Sequence, residues 1–113
     1  MLRYIIDPED ELRLDGGVIG IFSGARMMTF DVRDVRAADT VRQMPVDKTR
    51  QDALRFVAVD ALLGREYEVF VPERHRDFAA FSAALTAARP ELDAAQEGVF
   101  TPPACDGNGH HFD

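Results

Sequence analysis

The sequence predicts a mainly β domain with one C-terminal α-helix, a β-roll or partly open barrel whose mouth the helix plugs. Three observations predict it. Before Pro72, apolar and polar residues alternate at period two through several short segments, the pattern of strands with one buried face. Turn residues interrupt that alternation at Asp15-Gly16-Gly17, Ser23-Gly24 and Asp60-Ala61-Leu62-Leu63-Gly64. After Pro72 the period switches to that of an amphipathic helix.

The elements follow in order. Leu2, Tyr4 and Ile6 alternate with Arg3 and Asp7, which predicts a first strand. Asp7-Pro8-Glu9-Asp10-Glu11 breaks the pattern with a proline and four acids and reads as a loop. Leu12-Arg13-Leu14 resumes it, the two glycines at 16 and 17 make positive φ cheap for a turn, and Val18–Phe22 follows as a short apolar run. From Arg26 to Val41, Met28, Phe30 and Val32 share a face opposite Thr29, Asp31 and Arg33. Val35 falls out of phase, so a bulge is expected near Asp34. The polar stretch from Arg42 to Asp52 reads as a long connection.

Leu54, Phe56 and Ala58 then alternate with Arg55 and Val57, and Tyr67, Val69 and Val71 with Glu66 and Glu68, which predicts a hairpin turning at Asp60–Gly64. Pro72 ends the second strand because it cannot donate to a ladder. Phe78, Phe81, Ser82, Leu85 and Ala88 form one helical stripe, with alanines on its flanks. Phe78, Phe81 and Leu85 are expected to bury against Phe30, Phe56 and Tyr67. Glu73 and Arg89 suit the two ends of the helix dipole, and Pro90 stops the helix. Glu91–Glu97 has room for another turn or two, and turn chemistry prevails from Val99 onward. Residues 1–90 are therefore expected to form one globular domain, and residues 91–113 a mobile extension.

The stretch from Leu12 to Arg89 resembles a bacterial pleckstrin-homology-like (PH-like) domain. The resemblance rests on Arg26-Met-Met-Thr-Phe-Asp-Val-Arg-Asp-Val35, Leu54-Arg-Phe-Val-Ala-Val-Asp60, Glu66-Tyr-Glu-Val-Phe-Val-Pro72 and the helix start Asp77-Phe-Ala-Ala-Phe-Ser-Ala-Ala-Leu85. It implies a scaffold and no chemistry, because this fold serves lipid binders, peptide binders and structural modules alike. Its phosphoinositide-binding members carry a basic strand-loop-strand near the N-terminus. The corresponding loops here, Asp7–Glu11 and Asp15–Gly17, are acidic, so phosphoinositide binding is not expected.

Charge narrows the partners further. The 113 residues carry 20 acidic and 13 basic side chains, a formal net charge of −7. Nucleic-acid binding calls for a basic stripe, and the candidate arginines, Arg26, Arg33, Arg36 and Arg42, are interleaved with Asp31, Asp34 and Asp39. Nucleic acid is therefore excluded as the expected ligand. Only one of the basic residues, Lys48, is not arginine, a bias that points to GC-rich coding and a bacterial source. No apolar run reaches the roughly 18 residues of a membrane span, the first apolar stretch is too short for a signal peptide, and a single cysteine suits a reducing compartment. The expected location is cytoplasmic.

The residues with chemistry at their disposal do not assemble into a site. His75 reads as an exposed residue of the first helical turn rather than a proton shuttle. Cys105, Asp106, His110 and His111 are the one cluster with metal-ligand chemistry, but their spacing matches no closed four-ligand pattern. Glu66 and Glu68 alternate with Tyr67 and Val69 and so belong to the solvent face. Gly16–Gly20 lacks the Lys-Ser or Lys-Thr of a phosphate-binding loop. No catalytic, cofactor-binding or metal-binding residue is assigned, and no cofactor is expected.

What the sequence offers instead is a surface. Leu62 and Leu63 occupy a hairpin tip where polar residues are the norm. They either fold back over the sheet or meet a partner. Val57, Val59 and Phe70 lie on the nominally outer face of the same hairpin, which suggests that this face is covered, by the chain's own N-terminus or by another subunit. The expectation is a non-enzymatic interaction module that recognises protein or a second copy of itself. The alternatives are a small enzyme or ligand-pocket protein with a scattered site, or an acidic immunity or inhibitor protein steered to a basic target.

Overall fold

The computed structural model describes residues 1–101. Six strands, β1 (Leu2–Ile5), β2 (Glu11–Asp15), β3 (Val18–Ser23), β4 (Arg26–Val46), β5 (Thr49–Asp60) and β6 (Glu66–Pro72), precede one helix, α1 (Phe78–Ala88). A 3-10 turn at Pro90–Leu92 and a two-residue strand, β7 (Glu97–Gly98), follow. The sheet runs β1-β6-β5-β4-β3-β2, with β7 beside β4. Strands β2 to β6 form an antiparallel meander. At one edge β1 lies parallel to β6, with Arg3 opposite Glu68 and Tyr4 opposite Val69. The other edge is β2, so the sheet remains open rather than closing into a barrel.

The long strand β4 organises the molecule. Its first part pairs with β3 from Arg26 to Asp31, and its later part with β5 from Val35 to Val46. The register slips between Phe30 and Val35 and again between Val35 and Ala37, at the bulge that Val35 signals in the sequence. A bulge bends its strand and increases the local twist, and here it carries the chain from one half of the sheet into the other. Arg89, just past α1, braces the bend: its Nη1 donates to the carbonyls of Val32 at 2.7 Å and Val35 at 3.1 Å.

The stretch Arg42–Asp52 is a hairpin, not the long connection that its polarity suggests. β4 continues to Val46, β5 begins at Thr49, and Asp47-Lys48 alone make the turn, with Asp47 left-handed at φ 53. Val32, Val35, Ala38, Val41 and Met44, each three residues from the last, are buried, the first three in the main core and the last two in a second core on the opposite face. A third register shift, between Val41 and Met44, maintains that spacing.

The main core lies between the inner face of the sheet and α1. Phe56 packs on Phe81 with ring centroids 5.6 Å apart, and Phe30 meets Phe56 and Tyr67 edge-on at 5.8 and 5.9 Å. Phe81 and Leu85 are buried as their stripe predicts, while Phe78 is half-buried at the margin. Asp77, at the start of α1, accepts the Leu12 N–H of edge strand β2 at 3.0 Å instead of capping its own helix. The first acid before the helix, Glu73, accepts the Asp52 N–H of β5 at 3.1 Å.

A second, smaller core forms on the opposite face of β4, β5 and β6 from Val41, Met44, Ala53 and Phe70, with Val46 and Phe100 packed against it. The first part of the extension expected to be mobile supplies its cover. Thr40 N–H donates to Gln96 O at 2.7 Å, and β7 adds in parallel to Thr40 and Val41.

Candidate interaction surface

The β5–β6 turn presents Leu62 and Leu63 at 82% and 61% exposure. They do not fold back over the sheet. The turn that carries them is fixed by Asp60, whose Oδ1 accepts Leu62 N–H at 3.1 Å and whose Oδ2 accepts Leu63 N–H at 3.0 Å. This is the local motif by which aspartate stabilises a turn through its own side chain. Ala61 N–H donates to Thr29 O of β4 at 2.9 Å, and Gly64 takes the left-handed conformation at φ 71 that lets the chain reverse. Two apolar side chains therefore stand in water on a backbone that is held in place.

The outer face below that tip is not open to solvent as one apolar patch. Val57 and Val59 are half-buried, beside Glu68 and Glu66 in the β5–β6 register. Phe70 is fully buried and offers no exposed surface while the chain's own cover is in place. The face is covered, as three apolar residues there suggest, by two parts of the same chain. Arg3 of β1 lies over the Phe70 ring at 5.4 Å, and Phe100 stands edge-on to it at 5.6 Å.

The same cover buries charge. Glu68, assigned to solvent by its alternation, is only 8% exposed. Its Oε1 accepts from Arg3 Nε at 3.0 Å and its Oε2 from Arg55 Nη1 at 3.2 Å. Arg55 also grips Asp39 with a two-point contact, Nε to Oδ1 at 2.8 Å and Nη2 to Oδ2 at 2.6 Å. The hydrogen bonds to Asp39 hold the Arg55 guanidinium above its ordinary value despite burial. The two cations also hold backbone: Arg55 Nη1 donates to Val99 O at 3.0 Å and Arg3 Nη2 to Thr101 O at 2.8 Å. Sequence reasoning missed this cluster entirely, because its members come from β1, β4, β5 and β6 and no spacing joins them.

His75 is buried rather than exposed, at 7%. Its Nδ1 accepts from Asp77 N–H at 3.0 Å, which leaves the proton on Nε2 to donate to Asp10 O at 2.9 Å. Both ring nitrogens are thus committed to holding the Asp7–Asp10 loop against the start of α1. Asp10 itself is buried and accepts from Tyr4 Oη at 2.5 Å and Asp7 N–H at 3.0 Å. Burial pushes the Tyr4 hydroxyl up, and the Asp10 carboxylate adds to the rise. Burial also opposes the Asp10 charge, but the hydrogen bonds from Tyr4, the Asp7 backbone and Ser23 outweigh it and hold the carboxyl below its usual range. A cleft of about 80 Å³ lies beside His75, walled by Ile6, Pro8, Val46 and Pro72.

Cys105, Asp106, His110 and His111 lie outside the described residues. Among the described residues no group of three or more His, Cys, Asp or Glu side chains is placed to hold a metal ion, and no helix is long and apolar enough to cross a membrane. No protein-family model, curated protein or solved structure matches the chain.

Proposed function

We propose that this chain is a non-enzymatic interaction module that recognises protein through the β5–β6 hairpin tip. One observation carries the reading: Leu62 and Leu63 are exposed on a turn whose N–H groups are fastened to the Asp60 carboxylate. A flexible tip loses conformational freedom when it binds, and a fixed one has already lost it. Paired apolar side chains standing in water gain free energy from any apolar partner surface that covers them. The groups with catalytic potential support the reading from the other side, since both nitrogens of His75 and the carboxylate of Asp10 are engaged in holding backbone. The proposal includes the PH-like resemblance, which the long bent β4 and the helix packed across the open sheet favour. It also takes protein, rather than nucleic acid or anionic lipid, as the partner of a domain with net charge −7.

The test is the double replacement Leu62→Ser and Leu63→Ser. Neither side chain is buried, so stability should change by no more than about 0.5 kcal/mol. Association, followed by sedimentation over a concentration series and by crosslinking from position 61 to captured protein, should fall at least tenfold. Identical sedimentation and crosslinking by the wild-type and doubly substituted chains would overturn the proposal.

A further inference from the structure

The segment after α1 sits on the outer face as an extended ligand would. Gln96 O accepts from Thr40 N–H of β4 at 2.7 Å, and Glu97 and Gly98 add a parallel strand. Gly98 lies so close to the Asp39–Arg55 pair that a Cβ there would stand 2.7 Å from Arg55 Nη2 and would run into the Asp39 carboxylate. One residue on, Arg55 binds the Val99 carbonyl. Two residues on, Phe100 places its ring against Phe70 and 5.1 Å from the Arg3 guanidinium. Arg3 then binds the Thr101 carbonyl. Edge pairing, carbonyl clamps and a pocket at a fixed step are how proteins recognise extended peptides. Here they select glycine at one position and an aromatic ring two positions later.

At its base Gln96 Nε2 also donates to Ala38 O at 3.2 Å, Thr40 Oγ1 donates to Ala94 O at 2.9 Å and Arg42 lies 3.9 Å from Glu97; beyond these, little holds the arm. Val99 and Thr101 are exposed, and β7 has two residues. The link to α1 passes through Asp93, a non-glycine residue in the left-handed region at φ 56, ψ 59, which is uncommon. Segments with few buried contacts open most readily. Opening this one uncovers Phe70 and takes a carbonyl from each of Arg3 and Arg55, so the bared face needs a cover.

We propose that the outer face of β4, β5 and β6 is a strand-addition site for the segment Gln96–Thr101, filled in cis by the chain's own arm and in trans by the arm of a second copy, so that two chains exchange arms. The occupant is a second copy because the site is complementary to this sequence, down to a missing side chain at position 98. Exchange keeps the arm's contacts with β1, β4, β5 and β6, gives up the Gln96 bonds to the Asp93 and Leu92 carbonyls, and frees Asp93 to leave the left-handed region.

The experiment uses full-length chains and a labelled synthetic peptide spanning Ala94–Thr101. Gly98→Val, which prevents the arm from docking, should bind the peptide at least tenfold more tightly than the wild-type chain does. A peptide carrying the same substitution should bind neither. Asp93→Pro, whose ring cannot reach φ 56, should sediment as a dimer, and adding Phe100→Ala should return it to monomer. If Asp93→Pro does not fold, refolding the wild-type chain at high concentration should yield the dimer. Equal peptide binding by wild-type and Gly98→Val chains, no binding by either, or equal binding of the substituted peptide overturns the site. A monomeric Asp93→Pro chain, or refolding to monomer alone, overturns the exchange.

Discussion

On the inner face of β4, β5 and β6, Phe56, Val69 and Val71 pack under Phe81 and Leu85 of a helix; on the outer face, Phe70, Val41 and Ala53 pack under an arm that supplies one aromatic ring and a row of carbonyls. The inner seal is made of apolar area, which is non-directional and tolerant of small shifts. The outer seal depends on Arg3 and Arg55, whose guanidinium groups reach carboxylates, rings and backbone at once. Charge-assisted bonds of that kind require placed partners. One sheet thus carries a robust face and a conditional one.

Breaking the inner seal should have the largest effect. Phe81→Ala removes a fully packed ring from the main core and should cost about 3–5 kcal/mol, seen as a loss of cooperative melting or a much lower Tm. An unchanged Tm would show that α1 is not what closes the core. Arg55→Met comes next. It strips Asp39 and Glu68 of a shared cation and the Val99 carbonyl of its donor, for a loss of about 2 kcal/mol, and it should increase hydrogen exchange at Gln96–Thr101 while leaving α1 protected. Phe100→Ala should cost less, about 1 kcal/mol for a half-buried ring. If Phe100→Ala cost as much as Phe81→Ala, the two faces would be equivalent and the contrast would fail.

Acid and alkali sharpen the comparison at the β1 edge. Asp10 is held below its usual range, so its contribution to stability is complete above that range and is lost as pH falls through the folded-state value. Tyr4 is raised, so its contribution is complete below its ordinary value near 10 and is lost as pH rises beyond it. Denaturant midpoints should fall at both extremes, and Tyr4→Phe should remove the alkaline loss. A Tyr4→Phe chain with the wild-type alkaline profile would show that this hydroxyl is not the titrating group.

How much of this was legible in the sequence depends on what a period can report. The stripe Phe78, Phe81, Leu85 and the alternation in Leu54–Ala58 and Tyr67–Val71 named the inner face correctly, because one uninterrupted period says which side chains share a side. The end of β4 was lost because its buried residues, Val35, Ala38, Val41 and Met44, recur every third position: bulges keep Val35 with Ala38 and Val41 with Met44, while the step between the pairs changes face, a pattern that neither the strand nor the helix template contains. Glu68 was misplaced for a different reason. Alternation assigns a side chain to a face but not a cover to that face, and here the cover comes from Arg3 and from Val99–Thr101, distant in sequence. His75 was read as exposed because its neighbours Arg74 and Arg76 are charged, whereas its burial follows from the Asp10 carbonyl across the molecule. The tip residues Leu62 and Leu63 were legible as unusual, and the Asp60 side chain that holds them was present in the same turn.

The parallel pairing of β1 with β6 sets the order in which the chain can assemble. Strands β2 to β6 close by short turns, each requiring only a small loop, whereas Arg3 must find Glu68 across a separation of 65 residues. Loop-closure entropy makes such long-range contacts late ones. The meander should therefore form first, with β1 zipping onto a finished edge, so substitutions in β1 should speed unfolding while leaving the folding rate nearly unchanged. The outer seal, which needs Arg3 in place before Thr101 has a donor, would then be the last part of the molecule to form and the first to come apart.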